Sequence, residues 1–470
     1  MSRFRTYAGV AGGVAVLASA AVALSAPGTA RPKPQHWPPP SAHDNDTSRM
    51  LREIDPRRLK ANDLTLVGFG TRNTLSTQED PARGIGAARD WIKSQFDAIA
   101  ATSGGRMTTE IHQFIQPVSS RIPVPTRISN VVATLHGDQP ESAARTYVVS
   151  GHYDSICTDP IDFTCDAPGA DDDASGVIAV LEMARVMATR HFDATIEFMA
   201  VAGEEQGLYG SAYEASQAKA AGMNIQGMFT NDIIGASSST STGISRPHVV
   251  RLFAEGVPTS ETPAQASTRQ SVGGENDSPA RQLARYVEEV AQNHDTDMDV
   301  QVIYRRDRYL RGGDHISFLQ QGFPAARFTE GDETYEHEHQ NVRVENGVQF
   351  GDLPQFVDFN YVARVARVNA AALAALSRAP GTPVNARIIT ANLTNDTQLR
   401  WNANTEPDLK GYEIVWRFTD EAKWTHTIPV GNVTDYTIKN MSKDNFFFGV
   451  RAIDNEGHRS PVAFPRPASS

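Results

Sequence analysis

Apolar positions recur along this chain at two spacings. Around Gly84 to Ala98, the residues Ala88, Trp91, Ile92, Phe96 and Ile99 stand three and four apart, the repeat of an amphipathic helix. Runs rich in β-branched and apolar residues at Thr109 to Phe114, Ile128 to Leu135, Thr146 to Ser150, Thr195 to Ala202, Met228 to Ile234, Asp299 to Tyr304 and Ala325 to Phe328 predict strands. Helical spacing returns at Val177, Ile178, Leu181, Ala184 and Val186 or Met187. It returns again at Leu283, Val287 and Val290, behind the cap and first-turn pair Ser278-Pro279. Gly313 to Phe318 starts a short helix, and Pro354 to Ser377 reads as one long helix. Strands alternating with helices predict an α/β fold: a mixed sheet covered by helices on both faces, with ligands gathering beyond the carboxyl ends of the strands.

The pattern changes at Ala379-Pro380-Gly381-Thr382-Pro383, a proline and glycine hinge. Beyond it come short alternating runs at Ala386 to Asn392, Thr397 to Trp401, Gly411 to Phe418, Thr425 to Val430, Asp435 to Ile438 and Phe446 to Asp454, the mark of a small all-β sandwich. Two domains are therefore expected, at 48–378 and 384–470. Trp401, the Tyr412 to Trp416 run and the Phe448 to Ala452 run resemble a fibronectin type III domain. That resemblance implies a module able to bind a surface or a polymer.

The first residues have a different composition. Arg3 and Arg5 precede an Ala/Val/Gly/Leu run from Ala8 to Ala26, with small residues Gly28 and Ala30 behind it. This is the layout of a secretory signal peptide over 1–30, followed by a proline-rich linker over 31–47. An uncleaved anchor is the competing reading, since the run is near bilayer-spanning length, but its alanine and glycine content favours cleavage. After cleavage nothing remains for stable membrane insertion, and a secreted or periplasmic location is expected. The net charge of −11 lacks a basic stripe, which argues against nucleic-acid partners. Only Cys157 and Cys165 are present, eight positions apart, a spacing and number that favour one local disulfide over free thiols or a zinc knuckle.

The chemistry lies between Gly151 and Ser211. His152 and Asp154 follow one predicted strand; Asp171, Asp172 and Asp173 sit in a glycine-flanked loop; Glu204 and Glu205 follow another strand, and Asp232 lies at the end of a third. Singly, each has an ordinary reading as a solvated loop, a helix start or a structural histidine. Together they form a metal inventory. Zinc takes imidazole nitrogen and carboxylate oxygen, and a pair of zinc ions needs a bridging carboxylate with about two further ligands each. His152, Asp172, Glu205, Asp232 and one of His337 or His339 supply that set, Asp154 can orient the His152 ring, and Glu204 can serve as general base. No Gly-Xaa-Ser-Xaa-Gly elbow is present, which lowers a serine hydrolase reading.

From about Gly68 to Ser377 these motifs resemble the co-catalytic dizinc aminopeptidases of the secreted bacterial leucyl aminopeptidase type, relatives of glutamate carboxypeptidase and glutaminyl cyclase. The resemblance implies a first zinc held by His152, Asp172 and Asp232, and a second held by Asp172, Glu205 and His337. It makes Glu204 the base, with Asp154 supporting it, and a cis peptide follows Asp172. It also places Asp314-His315 near the cleft without a ligand role, and offers Tyr335 for the oxyanion. The activity it implies is removal of the N-terminal residue of peptide or protein substrates by a dizinc-bound hydroxide. A carboxypeptidase or other dizinc amidohydrolase, and a non-catalytic adhesion protein on the same scaffold, are the alternatives.

Overall fold

The computed structural model of the chain describes residues 45–293 and 296–469, so the predicted signal peptide and most of the linker lie outside the described residues. The first described elements are two helices, α1 (Asn45–Arg52) and α2 (Pro56–Gly68). The second begins as its sequence dictates: Asp55 caps it by accepting from the Arg57 amide, and Pro56 occupies the first turn. Then follow α3 (Gly84–Ala100), β1 (Met107–Gln116), β2 (Thr126–Leu135), β3 (Arg145–His152), α4 (Ser175–Met187), β4 (Thr195–Val201), α5 (Glu204–Gly207), α6 (Tyr209–Ala220), β5 (Asn224–Asn231) and β6 (Val249–Phe253). The body is completed by α7 (Pro263–Val272), α8 (Pro279–Asn293), β7 (Asp299–Ile303), α9 (His315–Gln320), β8 (Ala325–Glu330), the ribbon of β9 (Arg343–Glu345) and β10 (Val348–Phe350), and α10 (Phe359–Arg378).

Eight strands form one mixed sheet in the order β1-β2-β4-β3-β5-β8-β6-β7. The centre is parallel, β3 lying between β4 and β5 with β8 beyond, while β1/β2, β2/β4 and β6/β8 pair antiparallel. All eight residues of β3 are buried, as a strand covered on both faces requires. Every residue of α4 except Arg185 is buried, packed with α10 against one face of that sheet. The long helix expected from Pro354 is interrupted. Pro354–Phe356 make a single tight turn, and Asp358 then caps α10 by accepting from the Asn360 and Tyr361 amides. Proline spacing and the capping carboxylate, both local, override the apolar periodicity there.

Beyond the hinge come β11 (Arg387–Ile389), β12 (Thr397–Arg400), β13 (Leu409–Phe418), β14 (His426–Gly431), β15 (Asp435–Ile438), β16 (Phe446–Asp454) and β17 (Arg466–Ala468). They form a four-stranded sheet, β15-β12-β11-β17, and a three-stranded sheet, β14-β13-β16, around Leu399, Trp401, Tyr412, Ile414, Phe448 and Val450. Buried ion pairs fasten these sheets to the α/β body. Arg145 Nη1 is 2.9 Å from Glu406, Arg417 Nη2 is 2.6 Å from Asp277, and the Trp424 indole N–H donates to Gln282 at 2.9 Å. Among the described residues no helix is long and apolar enough to cross a membrane.

One surface histidine gives the fold a pH dependence. His112 on β1 meets Glu214 of α6 at 3.0 Å and Glu110 at 3.2 Å. The hydrogen bond to Glu214, aided by Glu110 and opposed by burial, raises the imidazole from 6.5 to about 9. A raised histidine stabilises the fold fully below its unfolded value near 6.5, and that stabilisation is lost as pH rises through 9. The ring is a third exposed, so solvent screening trims the effect to about 1–2 kcal/mol. His112→Gln is therefore expected to be less stable than the parent at pH 6 and nearly level with it at pH 10, as read by urea unfolding at each pH. An equal deficit at both values would contradict the charge origin.

Candidate metal centre

Three neighbouring parallel strands deliver the acids and the first imidazole to one edge of the sheet. His152 is the last residue of β3, Glu204 and Glu205 open α5 just after β4, and Asp232 follows β5 directly. The turn out of β4 depends on Gly203, whose φ of +75° is in the left-handed region and whose added Cβ would stand 2.9 Å from Ile128 Cδ1. Gly176 is equally constrained, since a Cβ there would meet the Asn231 carbonyl oxygen at 2.2 Å. That close approach lets the N-terminus of α4 sit against the end of β5.

The acidic loop Ala170–Ala174 is anchored from three sides, and the Asp172–Asp173 peptide within it is cis. Asp173 turns inward, accepting from the His152 and Gly176 amides, each at 2.9 Å. Asp352 accepts from the Asp171 amide at 2.8 Å and the Asp172 amide at 2.7 Å. Arg72 lies beneath, fully buried, donating to the carbonyls of Tyr153, Pro168 and Gly169 at 2.5–2.8 Å. The loop is thus rigid, and Asp172 faces two ways. Its Oδ1 is 3.1 Å from His152 Nε2, and its Oδ2 is 2.8 Å from His339 Nε2.

Donor atoms gather in two groups, His152 with Glu204 and Asp232, and Asp172 with Glu205 and His339, each within 4.8 Å. The histidine of the second group corrects the expectation of His337. The His337 ring instead stacks on Phe356, 3.5 Å between centroids, while a left-handed backbone at His339, φ +51°, carries its imidazole to within 3.1 Å of Glu205 Oε1. Register counted along an extended chain cannot foresee that reversal.

Asp154 also differs in detail from expectation. The His152 Nδ1 contact is to the Asp154 backbone carbonyl at 3.1 Å, with the carboxylate farther off at 3.6 Å. A carbonyl can only accept, so Nδ1 carries a proton and Nε2 is the ring atom turned toward the acids. The Asp154 carboxylate instead accepts from the Glu204 amide at 3.3 Å, the Glu205 amide at 3.1 Å and the Thr74 hydroxyl at 3.2 Å, fixing the two glutamates as a unit. Of the remaining candidates, Asp314 is buried and pushed up to about 7 by that burial, and Tyr335 is exposed.

Electrostatically the cluster is short of positive charge. Burial drives Glu204 well above the ordinary carboxylate range and raises Glu205. Burial would raise Asp172 too, but His339 and His152 hold it well below. Both imidazoles are raised against the cost of burial, His152 chiefly by Asp154 and Asp172, His339 by Glu205 and Asp172. Glu205 Oε1 is buried without a donor in hydrogen-bonding geometry. Protons on the two rings stand in for cations, and oxygen and imidazole donors of this kind suit zinc, which would displace those protons. The donor set therefore fits a pair of dications.

The model of peptidase family M28 matches residues 130–346, which contain every donor named above. A probable zinc metalloprotease of Pyricularia oryzae is 51% identical over 448 residues, 92% of this chain and 88% of that protein. Another probable zinc metalloprotease, from Leptosphaeria maculans, is 49% identical over 91% of this chain and 98% of its own length. The chain belongs to peptidase family M28. Among solved structures, LapB from Legionella pneumophila overlays with a TM-score of 0.50 at 19% identity, covering 72% of this chain and 76% of that one. LapA of the same organism overlays at 0.50 with 18% identity, over 72% and 77%. These two likenesses show the aminopeptidase-like fold shared by the M28 body.

Several residues of this M28 centre escaped sequence reasoning. Arg327, fully buried on β8, donates to Asp232 Oδ1 at 2.8 Å and to the Gly312 carbonyl at 2.7 Å, orienting that carboxylate. Its signal was present, a lone cation within an otherwise buried strand. Asp352 and Arg72 carry no such mark, because each acts only through contacts formed across the fold.

Proposed function

We propose that this M28 peptidase is a secreted aminopeptidase working with two zinc ions. The observation that carries the paired reading is Asp172, whose two oxygens face different histidines. His152, Asp232 and Asp172 would hold one zinc, and Asp172, Glu205 and His339 the other. A zinc pair bound there supplies a Lewis acid for the scissile carbonyl and lowers the pKa of an attacking water. Glu204 lies beside His152 and Asp232, free of the Asp172 bridge, and its role is to accept the water's proton and return it to the departing amine. Asp154 positions it by holding its amide, and Arg327 keeps Asp232 turned toward His152.

Zinc is supported by the donor chemistry and by the names of the curated relatives. The choice of a free amino terminus rests on the motif resemblance to dizinc aminopeptidases. Secretion is supported by the leader pattern and by the Cys157–Cys165 disulfide. The two C-terminal sheets support a fibronectin type III-like module that would bind a surface or polymer.

The test is hydrolysis of aminoacyl anilides by the full chain, compared with N-acetylated and C-terminal peptide substrates, before and after chelation. Cleavage of the free-amine set alone, lost with chelator and regained with zinc, is expected. Cleavage confined to blocked or C-terminal substrates removes the aminopeptidase reading. Metal-loaded protein inert toward every set makes it a binding scaffold.

A further inference from the structure

We infer that the loop closed by the Cys157–Cys165 disulfide is a clamp that positions Glu205 and His339, and so governs the second of the two metals; this rests on the paired-zinc reading above. The loop lies between the chain segments that supply His152 and Asp172, and none of its residues belongs to the donor set just described. Its contacts reach both sides of the second donor group. Thr158 donates its amide to Asn341 Oδ1 at 3.2 Å, and the Asn341 amide donates back to Thr158 Oγ1 at 3.1 Å, a reciprocal pair two residues past His339. On the other side, the Pro160 carbonyl accepts from Gln206 Nε2 at 3.3 Å and from Asn73 Nδ2 at 3.0 Å. Gln206 is the residue after Glu205.

His339 has need of such a restraint. Its φ of +51° is a conformation that side chains with a Cβ disfavour, and its ring is more than a third exposed. Past His339 the further contacts are at the surface, Arg343 reaching Gln340 and the Asn341 carbonyl, while before it the His337 ring rests on Phe356 and Glu338 lies 3.7 Å from Arg311. The loop can serve as a fixed point because the disulfide closes it and Asp162 pins the turn within it, its Oδ1 accepting from the Thr164 amide at 2.9 Å and the Cys165 amide at 3.2 Å. His152 and Asp232 are held by other means, through β3, Asp173 and Arg327. The clamp therefore acts on one metal and spares the other. Thr158 and Asn341 are positioning residues.

The test is zinc titration of the metal-stripped full chain against a competing chelator, with cobalt absorption spectra as a second readout. The parent is expected to take two equivalents. In Asn341→Ala, and in the double variant Cys157→Ser/Cys165→Ser, the first equivalent should bind as in the parent and the second roughly 10–100-fold more weakly. Asn341→Asp, which keeps the acceptor oxygen, should restore the second. If the serine variant does not fold, Asn341→Ala decides, since its disulfide is intact. Two unchanged affinities in Asn341→Ala, or equal weakening of both, overturn the clamp. A parent that takes one equivalent overturns the paired-zinc reading and the clamp with it.

Discussion

Replacing Glu204 with glutamine is expected to leave two zinc ions in place and to lower kcat by roughly 10³–10⁵, with KM changed little. Glutamine keeps the size of the side chain and the amide contact with Asp154, so the N-terminus of α5 stays where it is. What disappears is the group that takes the water's proton. Loss of general-base catalysis accounts for two to four orders of magnitude, and loss of the adjacent negative charge for more. The geometry makes this a sharp test, because Glu204 lies within ligand range of His152 and Asp232 and could coordinate. Metal analysis of the purified variant separates the two roles. Full occupancy with collapsed turnover assigns proton transfer to Glu204, whereas loss of one equivalent assigns coordination.

Asp172→Ala is expected to abolish activity to the background of the assay, below about 10⁻⁴ of the parent, and to reduce zinc content to less than one equivalent. The single carboxylate lies 3.1 Å from His152 and 2.8 Å from His339, so its removal takes an oxygen from both proposed sites at once. Glu205→Ala touches only the second group and should cost one equivalent. The contrast in stoichiometry, measured by atomic emission on dialysed protein, decides whether Asp172 bridges. A variant at Asp172 that retains one full equivalent would mean that the carboxylate serves a single ion.

Much of this is legible in the sequence. The strands that lead to His152, Glu204 and Asp232 follow from short apolar runs, and the parallel order that lines up their carboxyl ends follows from the helices between them. The acids at those ends stood out because a strand terminus needs no cluster of charges. Helix α2 was missed although Asp55 and Pro56 announce its start, and β6 was missed although Val249, Val250, Leu252 and Phe253 make an apolar run around Arg251. The family model matches residues 130–346, inside the Gly68 to Ser377 stretch that the motifs mark.

What the sequence by itself determined is the inventory and its carrier: an α/β layer with donors at strand ends, since hydrophobic period and turn chemistry act within a few residues of chain. Tertiary structure alone decided which histidine faces the acids, which oxygen of Asp172 faces which ring, and that Asp154 holds the glutamates more than the imidazole. Those choices depend on Asp352 reaching Asp172 across 180 positions and Thr158 meeting Asn341 across 183. They depend also on one left-handed residue, His339, and on the ring of Phe356 that draws His337 away. Contacts of that range are settled by packing, and no local pattern encodes them.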